Sequence, residues 1–453
     1  MVIKKYVKHK FQTLFDKDNP KQTLLNTAYM LFLLSLLCRF TMQLFETYGY
    51  ESFSIPEFLI NYQGGFVRRG LMGEILFFFT KHFNINVEWT IKIVCLICFV
   101  AVCVFFVRAF LRKGYTLYML PLCFFLGGHI FNGPHWIRKD HLMLCFFIVI
   151  LWVYNKINTS TIKFLTINIL VVFILLIHEV FALFALPILF FLLFNQYKNK
   201  GVLQSFSLST LFLLPGIVCF FLTLIYHGNL ETAQTIWDSW VVVANQQTAE
   251  IDMLSHGALS AIGWPSKWAF LGHLRRNFLD TDLGVLPLLG WSITFPVIYY
   301  IATNALVVFQ KHEKVFTNKD KTTLSSILIF QFLCLLPVFT ILSCDYGRII
   351  FYWIASSFAI FLLIPIDKIE KKIPAFFVKF VERLNNCLAN MLRPTKTTVA
   401  LPMMFIGIST IGFNFYGIIR SSMIHNILLI LSQILIELKV ILITLSKLIF
   451  SIF

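Results

Sequence analysis

Apolar positions along this chain fall neither at helical spacing nor in alternation. They run in unbroken stretches of about 17 to 25 residues separated by short polar turns, the length a helix needs to cross a hydrocarbon core at 1.5 Å per residue. A lipid-facing strand would alternate with a period of two, so a barrel is excluded and every backbone group must be satisfied within helices. The pattern predicts an all-α, polytopic integral membrane protein with about 11–12 transmembrane helices.

The expected spans lie near 23–44, 89–107, 115–132, 141–155, 164–177, 180–195, 205–226, 284–309, 323–343, 349–365 and 398–416. The tail from Asn426 to Phe453 is read as a twelfth span in preference to an interfacial helix. Basic clusters orient the series. Lys4, Lys5, Lys8, Lys10, Lys17 and Lys21 place the 1–22 leader in the cytoplasm, and the first apolar run reads as an uncleaved span. Arg108, Arg112 and Lys113, then Lys156 and Lys163, then Lys198 and Lys200, then Lys311 to Lys321 follow every second span. Residues 23–453 thus form a single transmembrane domain, with outer loops 45–88 and 227–283 and a basic, amphipathic cytoplasmic linker 367–397. Trp237, Trp240, Trp264 and Trp268 in the second outer loop are expected to lie on lipid headgroups.

Composition agrees with lipid as the solvent. The 453 residues are 58% hydrophobic, 17% aromatic and only 13% charged, and the mean hydropathy is +0.79. A net charge of +16 does not indicate nucleic acid, because the basic residues sit in turns between spans and form no interleaved patch. Cys95 and Cys98 form a C-x-x-C in mid-membrane and read as small buried hydrophobes; no metal or disulfide framework follows, and no nucleotide-binding glycine motif is present.

The topology sorts the unusual polar residues onto one face. The first outer loop holds Gly64-Gly65-Phe66-Val67-Arg68-Arg69-Gly70, with Glu74 beyond. Paired arginines offer planar donor forks suited to phosphate, in a loop where the positive-inside rule disfavours them. His135, Arg138, Lys139, Asp140 and His141 crowd the turn after the third span. His178 and Glu179 alone separate the fifth and sixth spans and cap a hairpin at the outer boundary, unless 164–195 is one long helix. Asp345 and Arg348, three apart, share a helix face if the helix has begun.

Cations converging with carboxylates suit transfer from a lipid-anchored phosphate or pyrophosphate. Arg68, Arg69, Arg138, Lys139, Arg348, Arg275 and Arg276 are candidate phosphate-binding residues, and Asp345, Glu179, His178, Asp140 and Glu74 candidate catalytic groups. The arginines neutralise charge on the leaving phosphate, and a carboxylate, or His178 oriented by Glu179, takes the proton of an acceptor hydroxyl. Acidic clusters for a divalent metal are lacking, so the expected mechanism is metal-independent and without cofactor.

The stretches Gly64-Gly65-Phe66-Val67-Arg68-Arg69-Gly70-Leu71, Arg138-Lys139-Asp140 and Asp345-Tyr346-Gly347-Arg348 resemble bacterial repeat-unit polymerases of O-antigen and capsule, the Wzy type, and more broadly the GT-C membrane glycosyltransferases. The resemblance implies a multi-pass protein of the bacterial inner membrane with its site on the periplasmic face. It implies an oligosaccharide donor on undecaprenyl pyrophosphate, a second lipid-linked repeat unit as acceptor, and membrane lipids and a chain-length regulator as partners. GT-C enzymes offer an acidic residue early in the first outer loop, for which Glu46, Glu51, Glu57 and Glu74 all qualify; polymerases carry a late outer loop with arginine, as with Arg275, Arg276, His256 and His273. Both arrangements remain open.

A flippase of lipid-linked oligosaccharide would want polar residues along many spans and repeat symmetry, whereas here ionisable groups gather at one face. A membrane acyltransferase would want a catalytic histidine deep in the bundle, for which only His129 and His178 offer themselves. A purely structural subunit leaves the outer arginines unexplained.

Overall fold

The computed structural model describes residues 20–46, 53–114, 136–243, 257–264, 266–279, 287–309, 316–370, 373–408, 413 and 415–450. Every element among them is a helix. The leader, the expected third span with His129 and His135, and Glu51 and His256 lie outside the described residues.

The long helices are α1 (Pro20–Phe45), α4 (Val87–Lys113), α5 (Asp140–Lys156), α6 (Ser160–Ile177), α7 (Phe181–Tyr197), α8 (Val202–Ile225), α11 (Pro287–Val308), α12 (Asn318–Pro337), α13 (Tyr346–Leu363) and α16 (Met423–Phe450). Shorter helices between them are α2 (Ile55–Leu59), α3 (Gly70–Phe83), α9 (Leu230–Val243), α10 (Ser266–Phe278), α14 (Ala375–Leu392) and α15 (Lys396–Phe405). Eight described helices are long and apolar enough to cross a membrane, as expected of a polytopic membrane protein. That number is below the eleven or twelve expected. One expected span is not described, while the apolar stretch of α1 and the 17-residue α5 are short. The expected span at 398–416 is helical over Lys396–Phe405, leaves the helix at Ile406 and is helical again in Phe415–Arg420, with 409–412 and 414 outside the described residues.

Burial ranks these helices. Every residue of α13 from Ile349 to Phe361 is buried, so this helix runs through the middle of the protein. In α4, α8 and α16 only a minority of residues are buried, as lipid-facing helices require. Helix ends fix the relative directions. Tyr154 near the end of α5 donates to Leu192 O near the end of α7, 3.0 Å, and lies under the Lys163 ammonium at the start of α6. The end of α6 therefore meets the start of α7 at the other end, and residues 164–195 form a hairpin, not one helix. Asn155 donates to Leu363 O, so α5 and α13 run in parallel with both N-termini at the hairpin turn. Lys156, Lys163, Lys319 and Lys368 gather at the far end, where Lys319 pairs with Glu370 at 2.6 Å.

After α8 the chain folds back onto the first loop through α9, which buries two of the four indoles expected at the membrane surface, while the Trp268 side chain lies outside the described residues. Trp237 and Trp240 on α9 are buried, and Trp240 Nε1 donates to Leu59 O, 2.7 Å. Burying an indole against an orphan carbonyl at the end of α2 satisfies both groups.

Candidate active site

The sequence around Glu57, Ser-Ile-Pro-Glu-Phe-Leu, places an acid in an apolar run with proline in the first turn, a good start for a short helix. All five residues of α2 are buried, so the carboxylate enters the protein and must find cations there. Glu57 Oε2 lies 3.1 Å from Arg138. Its Oε1 lies 3.3 Å from His178 Nε2, 3.7 Å from Arg69 and 3.8 Å from Arg348. Burial raises its pKa, yet Arg348, His178 and Arg138 together hold it well below the usual carboxylate range. Glu57 is therefore the hub of the cluster, a role that follows from its burial among cations.

Arg69 precedes α3 with φ +66°, a left-handed conformation that an L residue adopts only under constraint. The constraint is Glu179: Arg69 Nε donates to its Oε2 at 2.9 Å and Nη2 to its Oε1 at 2.5 Å. Glu179 sits in the α6–α7 turn, opposed by burial but held well below the carboxylate range by Arg69 and His178. Next to it, His178 Nδ1 accepts from Val180 N–H at 3.3 Å. Burial and Arg69 push the imidazole down to about 4, so it is neutral with Nε2 protonated and facing Glu57. Lys139 is fully buried, with Nζ 3.3 Å from both Arg69 O and Ile177 O. Burial pushes its ammonium down to about 8 against the pull of Glu57.

At the start of α5, Asp140 accepts from Arg348 Nε at 2.9 Å and Nη2 at 2.8 Å, and from the Tyr352 hydroxyl. Arg348 also reaches Asp345 Oδ2 at 3.4 Å, so the expected i,i+3 contact exists but is longer than the pair with Asp140. The chain before Asp345 is distorted: α12 passes Pro337 into a π turn, Val338–Leu342, and α13 begins only at Tyr346. Buried Asn277 on α10 captures the carbonyls freed there, donating to Thr340 O and Ser343 O, each at 2.8 Å. The same docking brings Arg276 to Cys344 Sγ, 4.0 Å. It also brings His273 into the field of Asp345, although burial and Arg276 lower its pKa.

Glu57, Arg68, Arg69, Arg138, Lys139, Asp140, His178, Glu179, Asp345 and Arg348 thus share one end of the bundle, drawn from four separate stretches of chain. Most are sealed inside. Arg68, Asp345 and Arg69 are the more open members, with side chains 30%, 27% and 26% exposed. Among the described residues the ion pairs of Arg68 and Asp345 are long, 3.8 Å to Glu179 and 3.4 Å to Arg348. Glu74 is used elsewhere, its oxygens accepting from Tyr62 N–H at 2.9 Å and Gln63 Nε2 at 3.0 Å to close the glycine turn. Arg275 is exposed on α10, and His141 packs edge-on to Phe99, 5.1 Å between ring centroids.

Protein-family models, curated proteins and solved structures were compared with the chain, and none matches it.

Proposed function

We propose that this protein is a membrane glycosyltransferase of the bacterial inner membrane that joins oligosaccharide repeat units from a polyprenyl-pyrophosphate donor on the periplasmic face, during O-antigen or capsule synthesis. The observation that carries the reading is the buried ionic cluster at one end of the bundle, in which the Arg68, Arg69 and Asp345 side chains stay partly exposed. Lysines at the opposite end of the bundle fit a cytoplasmic placement of that end, a cytoplasmic N-terminus and eleven or twelve spans in all.

In this reading Arg68, backed by Arg69, binds the donor pyrophosphate through charge-assisted hydrogen bonds. Asp345 accepts the proton of the acceptor hydroxyl as its oxygen bonds to the anomeric carbon. The bond from that carbon to the phosphate oxygen breaks, and its electron pair leaves on the polyprenyl pyrophosphate, where the arginines neutralise it. Glu179 and Glu57 fix the arginines. They stay ionised in salt bridges, which leaves Asp345 as the freer base. His178, buried and neutral, hands its only proton toward Glu57 and belongs to the scaffold.

A flippase remains the second reading, because buried charges near a bilayer also line ion and substrate pathways. The concentration of charge at one bundle end favours the enzyme. A deletion strain complemented with wild type or Asp345→Asn separates the two by its envelope-glycan ladder. The enzyme reading expects no ladder, a retained single-repeat band and normal protein level with the variant. Lipid-linked repeats trapped in the cytoplasmic leaflet of the deletion strain would establish the flippase instead.

A further inference from the structure

Beside the arginine pair, three aromatic rings form a partly exposed cluster. Tyr62 and Phe66 stack with centroids 5.6 Å apart and planes at 21°, and Tyr226 meets Phe66 edge to face at 5.5 Å. Phe66 is 43% exposed and Tyr226 50% exposed. The ring cluster is tied rigidly to the arginine pair. Arg68 N–H donates to Tyr226 O at 2.9 Å, and the Tyr62 ring lies so close to Gly70 that a Cβ there would stand 2.3 Å from it. Gly65, at φ +96° with nothing near it, lets the chain turn Phe66 outward.

The rim of the ring cluster is polar. Exposed Gln63 is held by Glu74 at 3.0 Å, and Asn229 caps the start of α9 through Thr232. Partly exposed aromatic rings bordered by amide and carboxylate groups match the two chemical faces of a pyranose, whose C–H bonds lie flat on an aromatic ring while its hydroxyls reach outward. An acyl chain on the same rings would strip water from Gln63, Glu74 and Arg68 without replacing it.

We infer that Tyr62, Phe66 and Tyr226 form a sugar subsite that holds the pyranose next to the donor pyrophosphate on Arg68. The subsite rests on the glycosyltransferase reading, since it places a sugar one step from the phosphate-binding arginines. It fixes the donor by its reducing-end sugar as well as its charge, and so gives the enzyme a means of choosing among lipid-linked donors that share a pyrophosphate.

The test uses the full-length protein in nanodiscs and two soluble probes, inorganic pyrophosphate and the lipid-free repeat unit released by mild acid from the cell's lipid-linked pool. Phe66→Leu is expected to weaken oligosaccharide binding about tenfold and Phe66→Trp to retain it, with pyrophosphate binding unchanged in both. Equal oligosaccharide affinity in wild type and Phe66→Leu, or no oligosaccharide binding by wild type, overturns the subsite. A benzoylphenylalanine at position 66 should capture the oligosaccharide; capture of phospholipid alone also overturns it and identifies the rings as a lipid contact. Failure of the underlying reading looks different: pyrophosphate binding would be insensitive to Arg68→Gln whatever the sugar result.

Discussion

Arg348 and Asp140, 208 residues apart in sequence, are joined by a two-pronged ion pair at 2.9 Å and 2.8 Å where the first turns of α13 and α5 meet. This pair locks the central helix to a neighbour that runs parallel to it, and Tyr352 one turn later adds its hydroxyl to the same carboxylate. Arg348→Met leaves Asp140 buried without its cation, and such a loss destabilises by about 3–5 kcal/mol. Thermal unfolding in detergent should show a large drop for the single variant and a partial recovery when Asp140→Asn is added. An additive double variant would mean that the two residues are not coupled.

In the proposed reaction Glu179 acts through Arg69, as a positioning residue. Glu179→Gln releases the guanidinium and relaxes the left-handed backbone at Arg69 that the pair enforces. The expected result is a donor KM raised by about tenfold with a smaller change in kcat, corresponding to one charged hydrogen bond of about 1.5–3 kcal/mol. Glu179→Asp should restore part of the affinity. A fall in kcat alone, with KM unchanged, would contradict the positioning role.

Acid should loosen the cluster in a defined window. The folded pKa of His178 lies near 4, below an unfolded value of about 6.5, so the unfolded chain takes up the proton first. The stability that depends on the neutral ring is therefore complete above about pH 6.5 and is lost as pH falls toward 4. Glu57 and Glu179, also depressed, contribute with the same sign but only below about pH 4.5. Melting temperature measured from pH 7 to 4 should fall for wild type, and His178→Gln should flatten the upper part of that fall. An identical slope in the variant would remove His178 from the account.

Two glycines of the first loop should respond differently to alanine. A Cβ at Gly73 would stand 2.0 Å from Ile60 O, a backbone atom that cannot swing away, so α2 and α3 must separate. Gly73→Ala should destabilise by about 1–3 kcal/mol and disturb the Glu57 end of the site. At Gly65 there is free space and only the positive φ to oppose a side chain, so the loss should be about 1 kcal/mol. Denaturant midpoints of the two variants decide the order.

Much of the architecture is legible in the sequence because bilayer thickness imposes it. Apolar runs predict α4, α6, α7, α8, α11, α12, α13 and the tail helix α16 within a few residues, and the ionisable turns at Arg138–Asp140, His178–Glu179 and Asp345–Arg348 do meet at one end. Local charge in a turn is visible residue by residue, but its partner is not. Nothing in the sequence ranks Glu57 above Glu46 or Glu74, because its importance comes from burial of a five-residue helix against three cations. Nor does sequence reveal that Asn277 holds the π turn before Asp345, a contact across 66 residues. The break after Phe405 in the expected 398–416 span has a local reason. Helix α15 carries Pro402 and ends at Phe405, where Gly407 meets Ser421 so closely that a Cβ would stand 2.3 Å from its hydroxyl.

In the proposed reaction Arg68 binds the donor pyrophosphate and Asp345 takes the proton of the acceptor hydroxyl. The most direct measurement is single-turnover transfer by purified protein in nanodiscs, using a labelled lipid-linked repeat unit as donor and a second as acceptor. Wild type is expected to extend the acceptor; Asp345→Asn should bind donor with similar affinity while its rate falls by about 10²–10⁴. Transfer by Asp345→Asn at the wild-type rate, or donor binding that survives removal of both Arg68 and Arg69, would contradict the account.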